Sequence, residues 1–113
     1  MQPLFSKPCS KQCAHPAIQA AKLCKKAMTL ANEQHLGAAE KELKTALLTL
    51  RKAELPMMKA KILNSLGILY MQQKEMGRAT RCFNRSLAIV AKQIGTENWF
   101  YGKIAENRQQ AQA

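Results

Sequence analysis

The stretch Ile62-Leu-Asn-Ser-Leu-Gly-Ile-Leu-Tyr70, with the polar segment that follows it, carries the clearest fold signal in this chain. Its apolar residues recur at steps of three and four, which is typical of an amphipathic helix. The polar segment ends in Gly77, a residue suited to a turn conformation. A second helical stripe then follows, formed by Ala79, Phe83, Leu87, Val90 and Ala91. The sequence therefore predicts two helices joined by a short turn.

A similar arrangement occurs 40 positions earlier in the chain. Aligned with itself at this offset, the sequence places Pro16 on Pro56 and Gly37 on Gly77. Apolar positions coincide as well: Ala20 with Ala60, Leu23 with Leu63, Ala39 with Ala79, and Leu47 with Leu87. Both prolines suit the first turn of a helix, where the missing N–H costs no hydrogen bond. Self-similarity that preserves breakers and apolar positions together indicates a tandem helical repeat.

These signals divide the 113-residue chain into an irregular N-terminal arm, residues 1–15, and a helical domain, residues 16–112. The domain comprises repeat one (16–55), repeat two (56–95) and a capping helix (96–112). The four repeat helices are expected at roughly 16–34, 37–53, 56–74 and 77–94, with the terminal helix at about 97–111.

The second copy resembles a tetratricopeptide repeat. The residues that carry the resemblance are Leu66, Gly67, Tyr70, Gly77, Arg78, Ala79, Phe83 and Leu87. The 40-residue offset is similar to the longer repeat of kinesin light chains, and the first copy departs from the pattern at Ala27, Leu30 and Leu43. The resemblance implies an all-α solenoid of antiparallel helix pairs, about two repeats long, in which small residues face large ones. The repeat-packing residues would be Leu23, Ala27, Leu30, Ala39, Leu43, Leu63, Leu66, Gly67, Tyr70, Ala79 and Phe83.

The resemblance also implies a function, because such repeats bind a peptide or helix of another protein on the surface lined by the first helix of each pair. Transferred to this chain, that surface contains Lys25, Met28, Lys61, Asn64, Ile68, Met71 and Gln72. Lysines suit acidic side chains, and thioethers adapt to apolar ones. We expect a non-catalytic adaptor or chaperone-like module for an acidic or amphipathic segment. The alternative for these residues is that they only solvate the domain or pack on the terminal helix.

The net charge of +11, from 18 basic and 7 acidic residues, favours a negatively charged partner. Arg78, Arg81 and Arg85 recur at steps of three and four and form one basic strip with Lys74. A basic helical nucleic-acid-binding protein that uses this strip is therefore the alternative function. Against it, no exposed aromatics are interleaved with the strip and no known nucleic-acid motif is present.

Signals for chemistry are weak, and we expect neither an enzyme nor a cofactor. The carboxylates are scattered, and Glu40, Glu42, Glu75 and Glu106 are predicted to face solvent. Cys9, Cys13 and His15 lack the second ligand pair that a zinc site needs, so free thiols are the better interpretation. Cys24 and Cys82 are predicted to be ordinary buried or half-buried thiols.

Two repeats form a short stack, since about three are usually needed for stability. The segment Trp99-Phe-Tyr101 is expected to cap one end, with at least one aromatic ring turned outward. The arm at residues 1–15, or a second copy in a homodimer, would cover the other end. No apolar run is long enough to span a bilayer, so we expect a cytoplasmic protein with reduced cysteines and no membrane partner.

Overall fold

The computed structural model describes residues 15–113 and shows an all-α fold in this range. Its five helices are α1 (Pro16–Asn32), α2 (Leu36–Thr49), α3 (Pro56–Gln72), α4 (Met76–Ile94) and α5 (Trp99–Gln112). Neighbouring helices pack as the pairs α1–α2 and α3–α4, α3 also packs on α2, and α5 packs on α4. The predicted helical-repeat fold class is confirmed. The predicted N-terminal arm lies outside the described residues, apart from His15.

Helix α2 shows the largest difference from its predicted bounds, because it ends at Thr49 and not near residue 53. After it the chain tightens into a turn, in which the Ala53 N–H bonds the Leu50 carbonyl at 3.0 Å. Leu50 is fully buried and anchors this turn. Pro56 disfavours a helical conformation at Leu55, which has a φ of −131° and a ψ of 63°, so α2 cannot continue into α3.

The prolines begin their helices as predicted. Pro16 and Pro56 both stand in the first turn, of α1 and α3 respectively. His15 caps α1, since its Nδ1 accepts a hydrogen bond from the Ala17 N–H at 3.0 Å.

The two turns within the pairs have the same geometry, which strengthens the evidence for a repeat. In the first, the His35 N–H bonds the Leu30 carbonyl at 2.8 Å; in the second, the Glu75 N–H bonds the Tyr70 carbonyl, also at 2.8 Å. Such a helix end requires a residue in the left-handed conformation, which is Gln34 (φ 67°) in the first turn and Lys74 (φ 65°) in the second.

The expectation that a glycine takes the turn conformation at Gly77 is therefore wrong. Gly37 and Gly77 lie inside the first turns of α2 and α4, one residue after each helix begins. Gln34 and Lys74 take the left-handed conformation because their backbones close the preceding helices, the Gln34 N–H bonding the Ala31 carbonyl and the Lys74 N–H the Met71 carbonyl, both at 3.0 Å.

The predicted repeat-packing residues form much of the core. Nine of the eleven are buried, and the other two, Leu23 and Leu30, are half-buried against the core. The closest approach is at Gly67, where an added Cβ would lie 2.6 Å from the Cζ atom of Phe83. Only a residue without a side chain allows α3 and α4 to pack this closely around the buried ring.

One buried polar contact also joins α3 to α4. The Ser86 hydroxyl is fully buried and donates a hydrogen bond to the Ala60 carbonyl at 2.7 Å. Its counterpart in the first copy is Ala46, which has no polar side chain. The second helix pair is therefore held by a directional bond that the first lacks.

Helix α5 covers the end of the stack beyond α4. Gly95 ends α4 with a φ of 82°, and the Asn98 side chain caps α5 by accepting from the Tyr101 N–H at 2.8 Å. Trp99 is 77% exposed, whereas Phe100 and Tyr101 are half-buried. The prediction that one of these aromatics is turned outward is confirmed. None of the helices described is long and apolar enough to cross a membrane.

Candidate functional site

A continuous groove runs between the first helices of the two pairs. It consists of two adjoining cavities of about 210 and 330 Å³, which share Cys24, Met28 and Ser65 as lining residues. The groove exists because α1 and α3 touch each other at few points, each being packed mainly on other helices. We call it the α1/α3 groove.

The chemistry of the α1/α3 groove changes along its length. Lys25 and Lys61 line one of its cavities, and Ile68 lines the other. Met28 is 69% exposed and Ile68 37% exposed, so both leave apolar surface open to solvent. The groove thus combines cationic groups with uncovered apolar side chains. Burial raises the pKa of the Cys24 thiol, which keeps this groove residue protonated and neutral near pH 7.

Five of the seven predicted binding residues line this groove. They are Lys25, Met28, Lys61, Ile68 and Gln72. Asn64 does not line it, since its Oδ1 accepts a hydrogen bond from Asn107 Nδ2 of α5 at 3.0 Å. Met71 does not line it either and is half-buried against the core.

Ser65 lines both cavities and was missed in the sequence. The signal that identifies it is helical spacing: Lys61, Ser65, Ile68 and Gln72 follow one another at steps of four, three and four, and so share one face of α3. Asn64 lies one residue before Ser65 and is therefore turned towards α5.

A polar network joins the two repeats on the other side of α3. The Tyr70 hydroxyl donates a hydrogen bond to Glu40 Oε2 of α2 at 2.9 Å, and Lys44 Nζ lies 2.9 Å from the same oxygen. Burial alone would raise the pKa of Glu40, but the bonds from Lys44 and Tyr70 outweigh it and lower that pKa. Burial and the same carboxylate raise the pKa of Tyr70.

Two of the four carboxylates predicted to face solvent do not. Only 17% of the Glu40 side chain is exposed, because Tyr70 and Lys44 cover it. The Glu42 side chain is 21% exposed and pairs with Lys26 of α1 at 3.4 Å. Glu75 and Glu106 are exposed as predicted.

A second cleft, of about 350 Å³, opens between α2 and α4. Its lining residues are Lys44, Tyr70, Arg78, Arg81, Cys82 and Arg85. The three arginines predicted to form a strip therefore share one concave surface, whereas Lys74 is not among its lining residues. We call this surface the α2/α4 cleft.

The thiols occupy the positions predicted for them. Cys24 is half-buried and Cys82 is buried. Within residues 15–113 the structure shows no cluster of three or more histidine, cysteine or acidic side chains able to hold a metal. The interpretation of Cys9 and Cys13 as free thiols lies outside the described residues.

The sequence matches no known family model, and a comparison with curated proteins finds no significant match.

Proposed function

We propose that this chain is a tetratricopeptide-like interaction module without catalytic activity, which binds an acidic or amphipathic segment of another protein in the α1/α3 groove. The observation that carries the proposal is the combination of exposed apolar side chains and lysines in one groove between the first helices of two repeats. The tetratricopeptide assignment belongs to the proposal, and it is supported by the close approach at Gly67 and by the matching turns of the two pairs.

The dimensions of the groove suit a short segment. The groove-lining residues of helix α1 run from Ala21 to Asn32, which at a rise of about 1.5 Å per residue gives a wall of about 17 Å. An extended peptide of roughly five residues covers that distance. A longer helix could lie along the same wall.

The charges of the groove favour an acidic partner. Among the residues described, neither Lys25 nor Lys61 has a carboxylate within 4.0 Å, and both side chains are exposed. An acidic partner would gain two ion pairs without breaking any that exist. The net charge of +11 would also attract such a partner over a distance.

The apolar part of the groove supplies the anchor. Met28 and Ile68 rise beside a floor that contains Ala27 and Leu43. An apolar side chain from the partner would cover this surface, and the flexible thioether of Met28 can adapt to its shape. Exposed rim charges contribute little affinity by themselves, so we expect the apolar contact to supply most of it.

A cytoplasmic location, with Cys24 and Cys82 kept reduced, is part of the same proposal. A homodimer through the uncovered face of the first repeat remains a prediction. Light scattering at several concentrations tests it.

The proposal is tested by selecting peptides on the purified protein from a display library of the native proteome. Selected peptides should be rich in Asp and Glu beside apolar residues. Reversing both groove charges, Lys25→Glu with Lys61→Glu, should weaken their binding by at least about tenfold in fluorescence anisotropy.

The control reverses two exposed lysines that do not line the groove, Lys22→Glu with Lys52→Glu. Asn64 is left unchanged, because its bond to Asn107 gives it a structural role. If both variants bind the selected peptides equally well, the groove assignment is wrong.

A further inference from the structure

The α2/α4 cleft is a second concave surface, separate from the groove assigned above. The two share no lining residue. They lie on different sides of α3, because Ile68 of the groove and Tyr70 of the cleft are two residues apart and therefore about 160° apart around the helix.

The charges of this cleft are not balanced. Four cationic side chains line it: Lys44, Arg78, Arg81 and Arg85. Two carboxylates contact this set, Glu40 at Lys44 (2.9 Å) and Glu75 at Arg78 (4.0 Å).

Arg81 and Arg85 have no carboxylate within 4.0 Å among the residues described. They are one helical turn apart, and like charges at this spacing raise the energy of a helix. An anion held between the two guanidinium groups would remove that repulsion.

Part of the cleft is already held in position. The Arg78 guanidinium lies over the Tyr70 ring at 5.8 Å from its centroid, and Glu40 accepts a hydrogen bond from the Tyr70 hydroxyl at 2.9 Å. This chain of contacts links α2, α3 and α4 and restrains one of the cations. A restrained cation loses less side-chain entropy when a ligand binds.

We propose that the α2/α4 cleft binds a compact anion that carries several phosphate groups. Guanidinium groups bond phosphate oxygens in pairs, and three of them follow one another along one helix face. Arg78 and Arg85 are separated by about 10 Å of helix, so the set spans more than a single phosphate.

The residues that line the cleft favour a compact polyphosphate over a nucleic acid strand. Single-stranded nucleic acids bind through stacking on exposed aromatic rings as well as through phosphates. The one aromatic residue that lines the cleft is Tyr70, which is 5% exposed and covered by Arg78. No ring is therefore open to a base.

Two cysteines allow each surface to be followed separately in the intact chain. Cys82 lines the α2/α4 cleft, and Cys24 lines the α1/α3 groove. The probe is inorganic tripolyphosphate, and the measurement is the alkylation rate of each thiol, read by peptide mass mapping. At ten times its Kd, tripolyphosphate should slow alkylation of Cys82 about tenfold and leave that of Cys24 nearly unchanged.

The double variant Arg81→Gln with Arg85→Gln should lose this protection. The charge-matched control Lys22→Gln with Lys52→Gln should keep it. Sodium sulfate at equal ionic strength should slow alkylation of Cys82 much less than tripolyphosphate does, since it strengthens burial only in a general way.

Three results would overturn the proposal. Protection that persists in the arginine variant, or is lost equally in the control, would show that binding does not depend specifically on Arg81 and Arg85. Slowing of Cys82 by sodium sulfate to the same degree as by tripolyphosphate would show stabilisation of the whole fold and no local site, because buried Cys82 reacts mainly when the fold opens around it. Stronger protection of Cys82 by a single-stranded oligonucleotide at equal phosphate concentration would make the cleft a nucleic-acid surface. None of these results depends on whether the α1/α3 groove binds a peptide.

Discussion

Replacing Gly67 with alanine would place a methyl group where the Phe83 ring now lies. The added Cβ would be 2.6 Å from Cζ of the ring, whereas ordinary carbon contacts begin near 3.4 Å. The ring would have to move by roughly 1 Å to reach the ordinary contact distance for carbon atoms. Phe83 is fully buried, so it has no solvent to move into and the backbones of α3 and α4 must separate instead.

The cost of this change follows from two opposing effects. Overpacking a buried site costs about 1–3 kcal/mol, and the completely buried ring favours the upper part of that range. Alanine recovers about 1 kcal/mol, because it is a better helix former than glycine. We therefore expect Gly67→Ala to lower the free energy of unfolding by about 1–2 kcal/mol, which corresponds to a fall in Tm of roughly 4–16 °C.

Thermal and urea unfolding, followed by circular dichroism, measure this effect. The matched control is Gly102→Ala in α5, where an added Cβ has no atom within 4 Å. This change should be neutral or raise stability by up to about 1 kcal/mol. In a double-mutant cycle, Phe83→Leu should cost less in the Gly67→Ala background than in the wild type. If Gly67→Ala is as stable as Gly102→Ala, the close packing of α3 on α4 is refuted.

Three further predictions concern single contacts. Because the pKa of Glu40 is lowered in the folded state, its contribution to stability is present above its ordinary value of 4.5 and is lost as the pH falls through the lowered value. Glu40→Gln should therefore flatten the loss of stability that urea unfolding records below pH 4.5; an unchanged slope would show that the network adds nothing. Ser86→Ala removes the bond to the Ala60 carbonyl and should cost about 1–2 kcal/mol in the same assay, and a neutral result would contradict the buried bond. Trp99→Gln should change the free energy of unfolding by no more than about 0.5 kcal/mol, since the ring is 77% exposed; a large loss would mean that the ring is packed.

The order and bounds of the helices could be predicted because the signals for them are local. Pro16 and Pro56 begin helices by their own geometry, and apolar spacing reports the buried face of each helix. The tandem repeat shows the same spacing of breakers and apolar residues twice, so each copy supports the helices predicted for the other. The left-handed conformation of Gln34 and Lys74 could not be predicted in this way, because neither glutamine nor lysine favours it. The hydrogen bonds that close the preceding helix hold these residues in it.

The candidate site was only partly predictable, because side-chain direction depends on neighbours distant in the sequence. Asn64 and Ser65 are adjacent on α3, yet one bonds α5 and the other lines the groove. Glu40 was predicted to be exposed because the position of Tyr70, 30 residues later, cannot be read from local periodicity. The α2/α4 cleft depends in the same way on Lys44 lying near the arginines of another repeat.

Alkylation of Cys24 and Cys82 in the presence of a selected acidic peptide tests the proposed function most directly. If the peptide lies in the α1/α3 groove, it should slow the reaction of half-buried Cys24, and Lys25→Glu with Lys61→Glu should strongly reduce that protection. A peptide that binds the protein but leaves the reaction rate of Cys24 unchanged would contradict the assignment of the groove as the binding surface.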